Sequence, residues 1–233
     1  MHIARKAYVA ASGAGLEVLH EIAFSLRRGE VAAFVGPSGC GKTTMLRIIA
    51  RLDRAYTGTV NLPAGCRLGM VFQEPRLLNW RTVEDNVRLV APHASEATLA
   101  DLFDTLELGA HRSHYPGELS LGLARRVALA RAFAVEPDLL LLDEPFVSLD
   151  AALAERLREE LATLVDQRRL TTILVTHDVG EAIQLADRIF LLSARPAKIV
   201  AEIPIDRPRS ARSREDIASI RNEIAGQLLQ VST

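Results

Sequence analysis

The segment at residues 36–43, Gly-Pro-Ser-Gly-Cys-Gly-Lys-Thr, is a complete G-x-x-x-x-G-K-[ST] phosphate-binding loop. The apolar run at residues 31–35 predicts a strand before it, and the helical spacing of apolar residues at 44–50 predicts a helix after it. Strand, glycine loop and helix form the setting in which this motif holds a nucleotide. The sequence therefore predicts a nucleotide-binding α/β fold.

The residue types of this loop match the chemistry of phosphate binding. Glycines adopt backbone conformations that other residues avoid, so successive N–H groups can turn toward phosphate oxygens, and the helix that follows adds its N-terminal N–H groups. Lys42 is expected to reach the β- and γ-phosphates, and the Thr43 hydroxyl to coordinate Mg²⁺. The expected nucleotide-binding residues of the segment are Gly36, Pro37, Ser38, Gly39, Cys40, Gly41, Lys42, Thr43 and Thr44.

A second constellation predicts hydrolysis as well as binding. Residues 139–142 are four leucines, typical of a strand buried on both faces, and Asp143 and Glu144 follow them. A buried parallel strand delivers its C-terminal residues to the edge of the sheet where ligands bind. There Asp143 is suited to hold Mg²⁺ and Glu144 to polarise the attacking water. Without the phosphate loop, the pair would equally suit a helix cap or a surface site.

Short motifs elsewhere follow one order along the chain: Arg5-Lys6-Ala7-Tyr8, Gln73 after a strand-like segment at 68–72, Leu119-Ser120-Leu121-Gly122-Leu123, Ser148-Leu149-Asp150, and Leu174-Val175-Thr176-His177-Asp178. With the phosphate loop and the Asp-Glu pair they resemble the ATP-binding subunit of ABC transporters, over nearly the whole chain. The resemblance is closest to the group that imports nitrate, sulfonates and taurine, on residues 72–83 and 192–200. It implies ATP and Mg²⁺ as cofactors.

The resemblance also implies a role for each motif. Tyr8 would stack on adenine, and Gln73 would sense Mg²⁺ and contact the membrane partner. Ser120 and Gly122 would bind the γ-phosphate of ATP held by the opposite subunit, and His177 the γ-phosphate of its own. The implied catalytic residues are Glu144, His177 and Gln73; the Mg²⁺ ligands are Thr43, Gln73 and Asp143; the nucleotide-binding residues outside the loop are Tyr8, Ser120, Gly122 and Asp150.

Each of these residues also has an ordinary structural interpretation. Tyr8 would suit a half-buried aromatic, Gln73 a solvated polar residue, and His177 a structural histidine. His111 and His114 share a loop-like stretch, but no cysteine or carboxylate cluster accompanies them at ligand spacing, so a zinc site is rejected.

One position departs from the family pattern. The family carries Gly at the position of Leu121, between Ser120 and Gly122. If this position needs a positive φ or close approach to phosphate, a leucine costs about 1–3 kcal/mol. If its φ is negative and the side chain points away, the cost is near zero. The helix predicted after Ser120 would still direct N–H groups at a phosphate.

Composition limits the remaining classes of function. Hydrophobic residues make up 48% and charged residues 24%, which is typical of a globular protein, and the net charge of −1 argues against nucleic-acid binding. Cys40 and Cys66 suggest no disulfide framework, in keeping with a reducing compartment. We find neither a signal-peptide pattern nor an apolar run of the ~20 residues that span a membrane. The expected location is peripheral, on the cytoplasmic face of the cell membrane.

The expected fold is an α/β, P-loop ABC-type core, with a mainly parallel sheet, antiparallel N-terminal strands and an inserted helical lobe. We expect one ABC ATPase domain over 1–233, the lobe over about 74–135 and a C-terminal extension over about 194–233. Periodicity predicts helices at 83–90, 95–108, 120–132, 153–168 and 179–186, and strands at 171–175 and 188–192.

The C-terminal region carries a basic Pro/Ser-containing segment, residues 207–214. A solvated connection is the favoured interpretation, and contact with anionic lipid headgroups is an alternative. Ile217, Ile220, Ile224 and Leu228 then share one helical face, which predicts packing on the chain's own domain.

The resemblance implies partners: a second copy in a head-to-tail homodimer, a transmembrane permease and, indirectly, a substrate-binding protein. Trp80 either anchors the permease interface or packs inside the lobe. Two other functions stay open: a cassette that binds ATP but hydrolyses it weakly because of Leu121, and a soluble ABC-type ATPase.

Overall fold

The computed structural model describes residues 1–9 and 15–231. Its strands are β1 His2–Val9, β2 Gly15–Ala23, β3 Val31–Val35, β4 Thr57–Thr59, β5 Leu68–Val71, β6 Leu139–Asp143, β7 Thr171–Thr176, β8 Arg188–Leu192 and β9 Ile199–Pro204. Its α-helices are α1 Lys42–Ile49, α2 Val83–Arg88, α3 Glu96–Thr105, α4 Leu121–Ala134, α5 Ala151–Gln167, α6 Val179–Leu185 and α7 Arg214–Val231. These elements form two compact units. We call residues 1–64 with 171–233 the P-loop unit, and residues 65–170 the signature unit.

The N-terminal part of the P-loop unit is a small antiparallel sheet in the order β2-β1-β4. Lys6 pairs with Leu19 and Ala7 pairs with Glu17, so the register skips Val18 and creates a β-bulge there. The bulge breaks the alternation of the strand, because Val18 and the adjacent Leu19 are both buried. It thereby directs two successive side chains of β2 into the interior.

The larger sheet of the P-loop unit runs β7-β3-β8-β9, with β9 antiparallel to β8 and the other pairs parallel. Every residue of β3 is buried and apolar, as expected for a central parallel strand covered on both faces. On one face the rings of Phe24, Phe34 and Phe190 form a cluster, with centroids 4.6 Å apart between Phe24 and Phe34 and 4.7 Å apart between Phe34 and Phe190. This apolar packing holds the strand from which the phosphate loop emerges.

The signature unit combines the parallel pair β5–β6 with helices α2 to α5. All five residues of β6 are buried. Each helix begins at a polar N-cap whose side chain accepts a backbone N–H: Thr82, Ser95, Ser120 and Asp150. These caps explain why the sequence located the helix starts well.

Sequence periodicity was less accurate at some element ends. The helix expected to reach residue 108 ends at Thr105, and a 3-10 turn at Gly109–His111 follows it. The strands β4 and β9 were not predicted. β4 lies in a stretch that carried only turn signals, since it is three residues long and fully exposed. Its pairing with β1, not its own residue pattern, makes it a strand.

The prediction of a solvated connection at 207–214 holds for Arg207, Pro208, Ala211 and Ser213, which are exposed, but it is wrong for two of the arginines. The side chain of Arg212 is 2% exposed, and its Nη1 donates to the carbonyls of Ile183 (2.6 Å) and Gln184 (3.2 Å). Arg209 Nη1 donates to the carbonyl of Leu185 at 3.0 Å. A helix leaves its last carbonyls without intrahelical partners, and arginines are suited to bind them. These two arginines therefore tie the segment to the C-terminal end of α6.

The helix predicted after this segment is α7, and it packs on α6 and β9 of the same unit. Ile224 is buried, while Ile217 and Ile220 are partly exposed. The side chain of Leu228 lies outside the described residues. Within 1–9 and 15–231, no helix combines the length and the apolar character needed to span a membrane.

Candidate functional site

The phosphate loop and His177 leave neighbouring parallel strands at the same edge of the sheet. Val35, the last residue of β3, pairs with Thr176, the last residue of β7. The loop follows Val35 directly, and the exposed His177 follows Thr176. Because parallel strands present their carboxyl ends at one edge, the register brings these predicted site residues together.

The phosphate loop is held in shape by its own contacts. Gly41 has φ 132°, and a Cβ there would lie 2.8 Å from side-chain carbons of both Val18 and Leu19. A larger residue at this position would therefore be strained and would clash with β2. Lys42 is buried and its Nζ donates to the carbonyls of Gly36 (2.8 Å) and Pro37 (3.2 Å). The amine of Lys42 therefore lies over the phosphate loop and binds the loop's own carbonyl oxygens.

Cys40 is a small buried residue within the loop. Burial raises the pKa of its thiol, and the nearby positive charges of Lys42 and Arg195 only partly oppose this effect. The thiol is thus protonated at neutral pH and fills space in the loop, in keeping with a packing role.

His177 is positioned by a buried hydrogen-bond chain. The backbone N–H of Asp178 donates to Oγ1 of Thr176 (3.0 Å), and this hydroxyl donates to Oε2 of Glu181 (2.6 Å). Thr176 and Glu181 are both buried. A satisfied polar network of this kind fixes the backbone on either side of the histidine.

Tyr8, the proposed adenine platform, is anchored from behind by two charged residues. Its hydroxyl donates to Oδ2 of Asp53 at 2.9 Å, and Lys6 Nζ lies 4.3 Å from the ring centroid. Lys6 is buried and also pairs with Asp53 at 2.8 Å. The ring remains 39% exposed. The ammonium group of Lys6 therefore covers one face of the Tyr8 ring. The Tyr8 hydroxyl is held by Asp53, and it also lies 3.4 Å from Oγ1 of Thr44.

Burial opposes ionisation of Asp53, but hydrogen bonds from Lys6, Tyr8 and the N–H of Ala55 together hold the pKa of its carboxyl below the usual range. The carboxylate is consequently charged at neutral pH. Sequence reasoning missed both Lys6 and Asp53. Lys6 was quoted only for its neighbour Tyr8, although a lysine two residues before an aromatic on a strand shares its face.

In the signature unit, Gln73 and the Asp143–Glu144 pair also leave neighbouring parallel strands. Val71 at the end of β5 pairs with Leu142 in β6. Gln73 follows two residues after Val71, and Asp143 ends β6 with its side chain buried. The structure therefore places these three polar residues at one edge of this strand pair.

The turn after β6 is conformationally unusual. Glu144 has φ 45° and Ser148 has φ 65°, values that non-glycine residues seldom adopt. The same left-handed φ occurs at other described residues, such as Glu21 and Arg51, so it does not by itself mark a functional site. Asp150 ends the turn as the N-cap of α5 and accepts the N–H of Leu153 at 3.0 Å.

Ser120, Leu121 and Gly122 form the start of α4. The Ser120 hydroxyl accepts the N–H of Leu123 at 3.3 Å, so it caps the helix. Leu121 is the first helical residue and its side chain is 44% exposed. Its backbone is therefore right-handed, so Leu121 pays no cost for a positive φ. Gly122 is the constrained position, because α5 packs against it through Leu153.

Two arginines of α4 hold the segment around Gln73, and sequence reasoning missed both. Arg125 donates to the carbonyls of Phe72 (3.4 Å) and Val147 (3.1 Å), and it thus joins the strand end before Gln73 to the turn after Glu144. Arg131 donates to the carbonyls of Pro75 (2.8 Å) and Arg76 (2.9 Å). Burial lowers the pKa of both guanidinium groups, although Glu74 opposes this for Arg125. The helix that starts at the signature motif therefore fixes this segment on both sides.

A groove of about 330 Å³ lies beside this segment. It is lined mainly by apolar side chains, among them Phe72, Leu78, Leu89 and Val90. Arg76 and Arg131 are its charged lining residues. Trp80 is 74% exposed, so the alternative in which it packs inside the lobe is wrong.

Comparisons with known proteins show the family of this chain. The family model described as ABC transporter matches residues 19–147. Aliphatic sulfonates import ATP-binding protein SsuB 2 of Burkholderia cenocepacia is 41% identical, over 91% of this chain and 80% of that protein. The SsuB 2 protein of Pseudomonas syringae pv. tomato is 39% identical, over 99% of this chain and 97% of that protein. SsuB 1 of Rhodococcus jostii is 43% identical, over 91% and 88%.

Solved structures give the same result. The dimeric structure of MJ0796, a bacterial ABC transporter cassette, aligns with a TM-score of 0.76 and 27% identity, over 89% of this chain and 99% of that one. A post-hydrolysis dimer of MJ0796 bound to ADP and Pi aligns with a TM-score of 0.72 and 28% identity, over 86% and 98%. The expected P-loop ABC-type α/β fold is confirmed. The chain therefore belongs to the ABC transporter family, as an ATP-binding and ATP-hydrolysing subunit.

Proposed function

We propose that this ATPase powers the import of an aliphatic sulfonate, or of a similar small solute such as nitrate or taurine, through a membrane permease. The names of the relatives in Burkholderia, Pseudomonas and Rhodococcus support the sulfonate class, at 41%, 39% and 43% identity. The observation that carries the ATPase chemistry is the strand register that brings the phosphate loop and His177 to one sheet edge. This subunit would supply the energy and would not touch the solute.

In the proposed reaction each site residue has one task. Lys42 binds the phosphates, Glu144 orients the attacking water, and His177 steadies the γ-phosphate as charge shifts in the transition state. Tyr8 stacks on adenine. Asp150 is assigned to the nucleotide only through the family resemblance, and the structure also gives it the cap of α5.

Thr43, Gln73 and Asp143 are the proposed Mg²⁺ ligands. Their hydroxyl, amide and carboxylate oxygens are the hard donors that Mg²⁺ prefers. In the part of the chain that the structure describes, no group of three or more His, Cys, Asp or Glu side chains is placed to hold a metal. Mg²⁺ is generally held by one or two carboxylates together with substrate phosphates and waters. Bound there, Mg²⁺ would neutralise charge on the β- and γ-phosphates.

We also propose that two copies bind two ATP molecules head to tail. The similar cassettes with solved structures are described as dimeric, which supports a homodimer. Ser120 and the N-terminus of α4 are exposed, so they are accessible to a nucleotide on the partner copy. The helix is long enough for its N–H groups and dipole to favour an anion at that end.

The groove beside Gln73 is the proposed contact with the permease. Exposed Leu89 and the apolar lining give it the character of an interface, and Trp80 is exposed two residues after the lining residue Leu78. The arginines of α4 connect the groove to the strand end before Gln73. A short amphipathic helix of the permease would suit such a groove. This contact would hold the ATPase on the cytoplasmic face of the membrane, where the import complex would also include a substrate-binding protein.

ATP hydrolysis by the purified chain with its permease tests the catalytic part of this proposal. We expect Glu144→Gln to bind ATP normally and to lose hydrolysis by about two orders of magnitude or more, since water activation is removed. Glu159→Gln is the matched control, because Glu159 is an exposed glutamate of α5. Equal hydrolysis by wild type and Glu144→Gln would contradict the role of Glu144.

Transport by the reconstituted complex tests the solute class. We expect labelled ethanesulfonate to enter proteoliposomes in an ATP-dependent way, with taurine and nitrate as competitors. If taurine or nitrate competes more strongly than unlabelled ethanesulfonate does, the stronger competitor is the solute class and the sulfonate assignment is wrong.

Weak hydrolysis because of Leu121 is the second candidate function. The helical backbone at Leu121 argues against it, since no positive φ has to be accommodated. Comparing Leu121→Gly with wild type decides the matter. If only the variant hydrolyses ATP, the cassette is a weak ATPase; if both do, the leucine is tolerated. The import names of the relatives argue against an ABC-type ATPase without a permease.

A further inference from the structure

We propose that Arg195 is a positioning residue of the ATP site, which fixes the orientation of the Gly39–Cys40 peptide in the phosphate loop. Arg195 lies in the 193–198 turn between β8 and β9, more than 150 residues along the chain from the loop, and both belong to the P-loop unit. Its Nε donates to the carbonyl oxygen of Gly39 at 3.0 Å, and Nη2 donates to the same oxygen. The inference rests on the proposed role of this loop in binding ATP.

Hydrogen bonds hold the backbone of the 193–198 turn, which carries the Arg195 side chain. The Ser193 hydroxyl accepts the N–H of Lys198 at 3.0 Å, and the backbone N–H of Ser193 donates to the carbonyl of Lys198 at 3.0 Å. Ala197 is buried and pairs with β2: its N–H donates to the carbonyl of Val18 at 2.9 Å, and its carbonyl accepts the N–H of His20 at 3.0 Å. The backbone that carries Arg195 is therefore fixed by hydrogen bonds on both sides.

The same strand β2 supports the phosphate loop directly. The side chains of Val18 and Leu19 pack against Gly41, where an added Cβ would meet them at 2.8 Å. The loop is thus held at two points by connected structure, at Gly41 by β2 and at Gly39 by the turn that pairs with β2. Such double support fits a preorganised binding loop rather than an incidental surface contact.

The contact controls a specific peptide plane. A trans peptide is planar, so its C=O and N–H point in opposite directions. With the Gly39 carbonyl bound to Arg195, the N–H of Cys40 points the other way, into the loop, where it donates to the carbonyl of Pro37 at 3.2 Å. The Pro37 carbonyl also accepts from Lys42 Nζ at 3.2 Å, so this side of the loop is the one that Lys42 faces.

The hydrogen bond from the Cys40 N–H to Pro37 holds one side of this plane, and the contact with Arg195 holds its carbonyl side. Gly39 has φ 75°, a left-handed backbone conformation. Glycine adopts positive and negative φ values about equally readily, so its backbone can change between them at little cost. A flipped plane would point the Gly39 oxygen at the phosphates, and it would replace an attractive N–H dipole by a repulsive carbonyl. A guanidinium that donates two hydrogen bonds to this oxygen opposes the flip. Arg195 would therefore favour phosphate binding without touching the nucleotide.

Binding of ADP and of AMP, measured by calorimetry on the purified chain, tests this role. We expect Arg195→Met to weaken ADP about 3- to 10-fold, the size of one or two exposed charge-assisted hydrogen bonds. AMP, which lacks the β-phosphate that the loop would hold, should bind within about 2-fold of wild type. In the ATPase assay KM should rise while kcat at saturating ATP stays unchanged, since the chemical step does not use Arg195.

Two further variants separate the hydrogen bonds from the charge. Arg195→Gln keeps a donor without the charge and should recover part of the ADP affinity. Lys198→Met removes a positive charge from the same turn, at an exposed side chain, and should bind ADP like wild type. Because Arg195 is exposed, all variants are expected to fold, and thermal unfolding of each checks this.

Three results would overturn the inference. They are unchanged ADP binding in Arg195→Met, an equal loss in Arg195→Met and Lys198→Met, and an equal loss for ADP and AMP. An equal loss in Arg195→Met and Lys198→Met would show that Arg195 acts only as a general surface charge. An equal loss for ADP and AMP would show that Arg195 affects the adenosine part of the site and not the phosphate loop. Wild type that fails to bind ADP would instead contradict the proposed function, and the positioning role with it.

Discussion

A Cβ atom placed on Gly122 would lie 2.6 Å from Cδ2 of Leu153. This relationship distinguishes positions 121 and 122, where the family pattern has two successive glycines, by what each one contacts. Gly122 faces Leu153 of α5, so a side chain at 122 would displace the end of that leucine, whereas Leu121 lies on an exposed helical turn. The departure from the family pattern therefore falls at the position where the fold tolerates it.

We expect Gly122→Ala to lower the free energy of unfolding by about 1–3 kcal/mol, because the added methyl group overpacks the contact with Leu153. Urea denaturation measures this. Gly117→Ala is the matched control, since nothing lies within 4 Å of a Cβ at Gly117. The double variant Gly122→Ala with Leu153→Ala should lose less than the sum of the single variants. Strict additivity would show that the two positions do not interact.

Tyr8→Ala should weaken ATP binding about 10-fold, because stacking of a base on an aromatic ring contributes about 1–3 kcal/mol. Tyr8→Phe keeps the ring and loses only the hydroxyl contact with Asp53, so its affinity should stay within about 3-fold of wild type. Calorimetric titration with ATP compares the three proteins. A larger loss in Tyr8→Phe than in Tyr8→Ala would refute the adenine platform.

Acid should remove the contribution of Asp53 to stability. The pKa of its carboxyl is lowered in the folded state, so the folded protein binds fewer protons than the unfolded chain near pH 4. The stabilisation is fully present above the unfolded pKa of about 3.9, and it declines as the pH falls through the lower, folded value.

Urea unfolding of wild type and Asp53→Asn between pH 7 and pH 3 measures this effect. Asp53→Asn leaves the buried Lys6 without its counter-charge and should cost about 2–4 kcal/mol at pH 7. The gap between the two proteins should narrow toward pH 3. A gap that is constant with pH would mean that Asp53 acts through packing and not through its charge.

Arg125→Met should lower kcat about 10-fold and leave ADP affinity unchanged, because the hydrogen bonds of Arg125 hold the backbone beside Gln73 and in the turn after Glu144. Steady-state kinetics and ADP titration give both quantities. Arg125→Lys keeps the charge but not the planar fork that reaches two carbonyls, so it should restore only part of the rate. Full activity of Arg125→Met would exclude a positioning role.

Local sequence signals were sufficient for the centre of the fold. The phosphate loop, β3 and α1 were all predicted correctly, because strand, loop and helix are adjacent in sequence and each has its own periodicity. The N-caps Ser120 and Asp150 likewise mark their helices locally. These features depend on neighbouring residues, and a single sequence shows them.

Contacts between distant residues could not be predicted in this way. Lys6 and Asp53 are 47 positions apart, and they meet only because β1 pairs with β4, a strand too short to carry a pattern. Arg125 was assigned to an ordinary helix, since nothing in its neighbours shows that its side chain turns inward to bind carbonyls. The segment at 207–214 was misjudged for the same reason: its charge suggested solvent, while the carbonyls at the end of α6 provide its partners.

The β-bulge at Val18 connects strand β1, which carries Tyr8, to the phosphate loop. Tyr8 lies on β1 just beyond the shift in register, and the bulged residue of the paired strand packs under Gly41. The position of Tyr8 relative to the phosphate loop thus depends on this strand pairing as well as on the loop itself. A shift of a single residue in this pairing would turn every side chain of β1 to the opposite face. The position of Tyr8 beside the phosphate loop is therefore set by the register of a small antiparallel sheet.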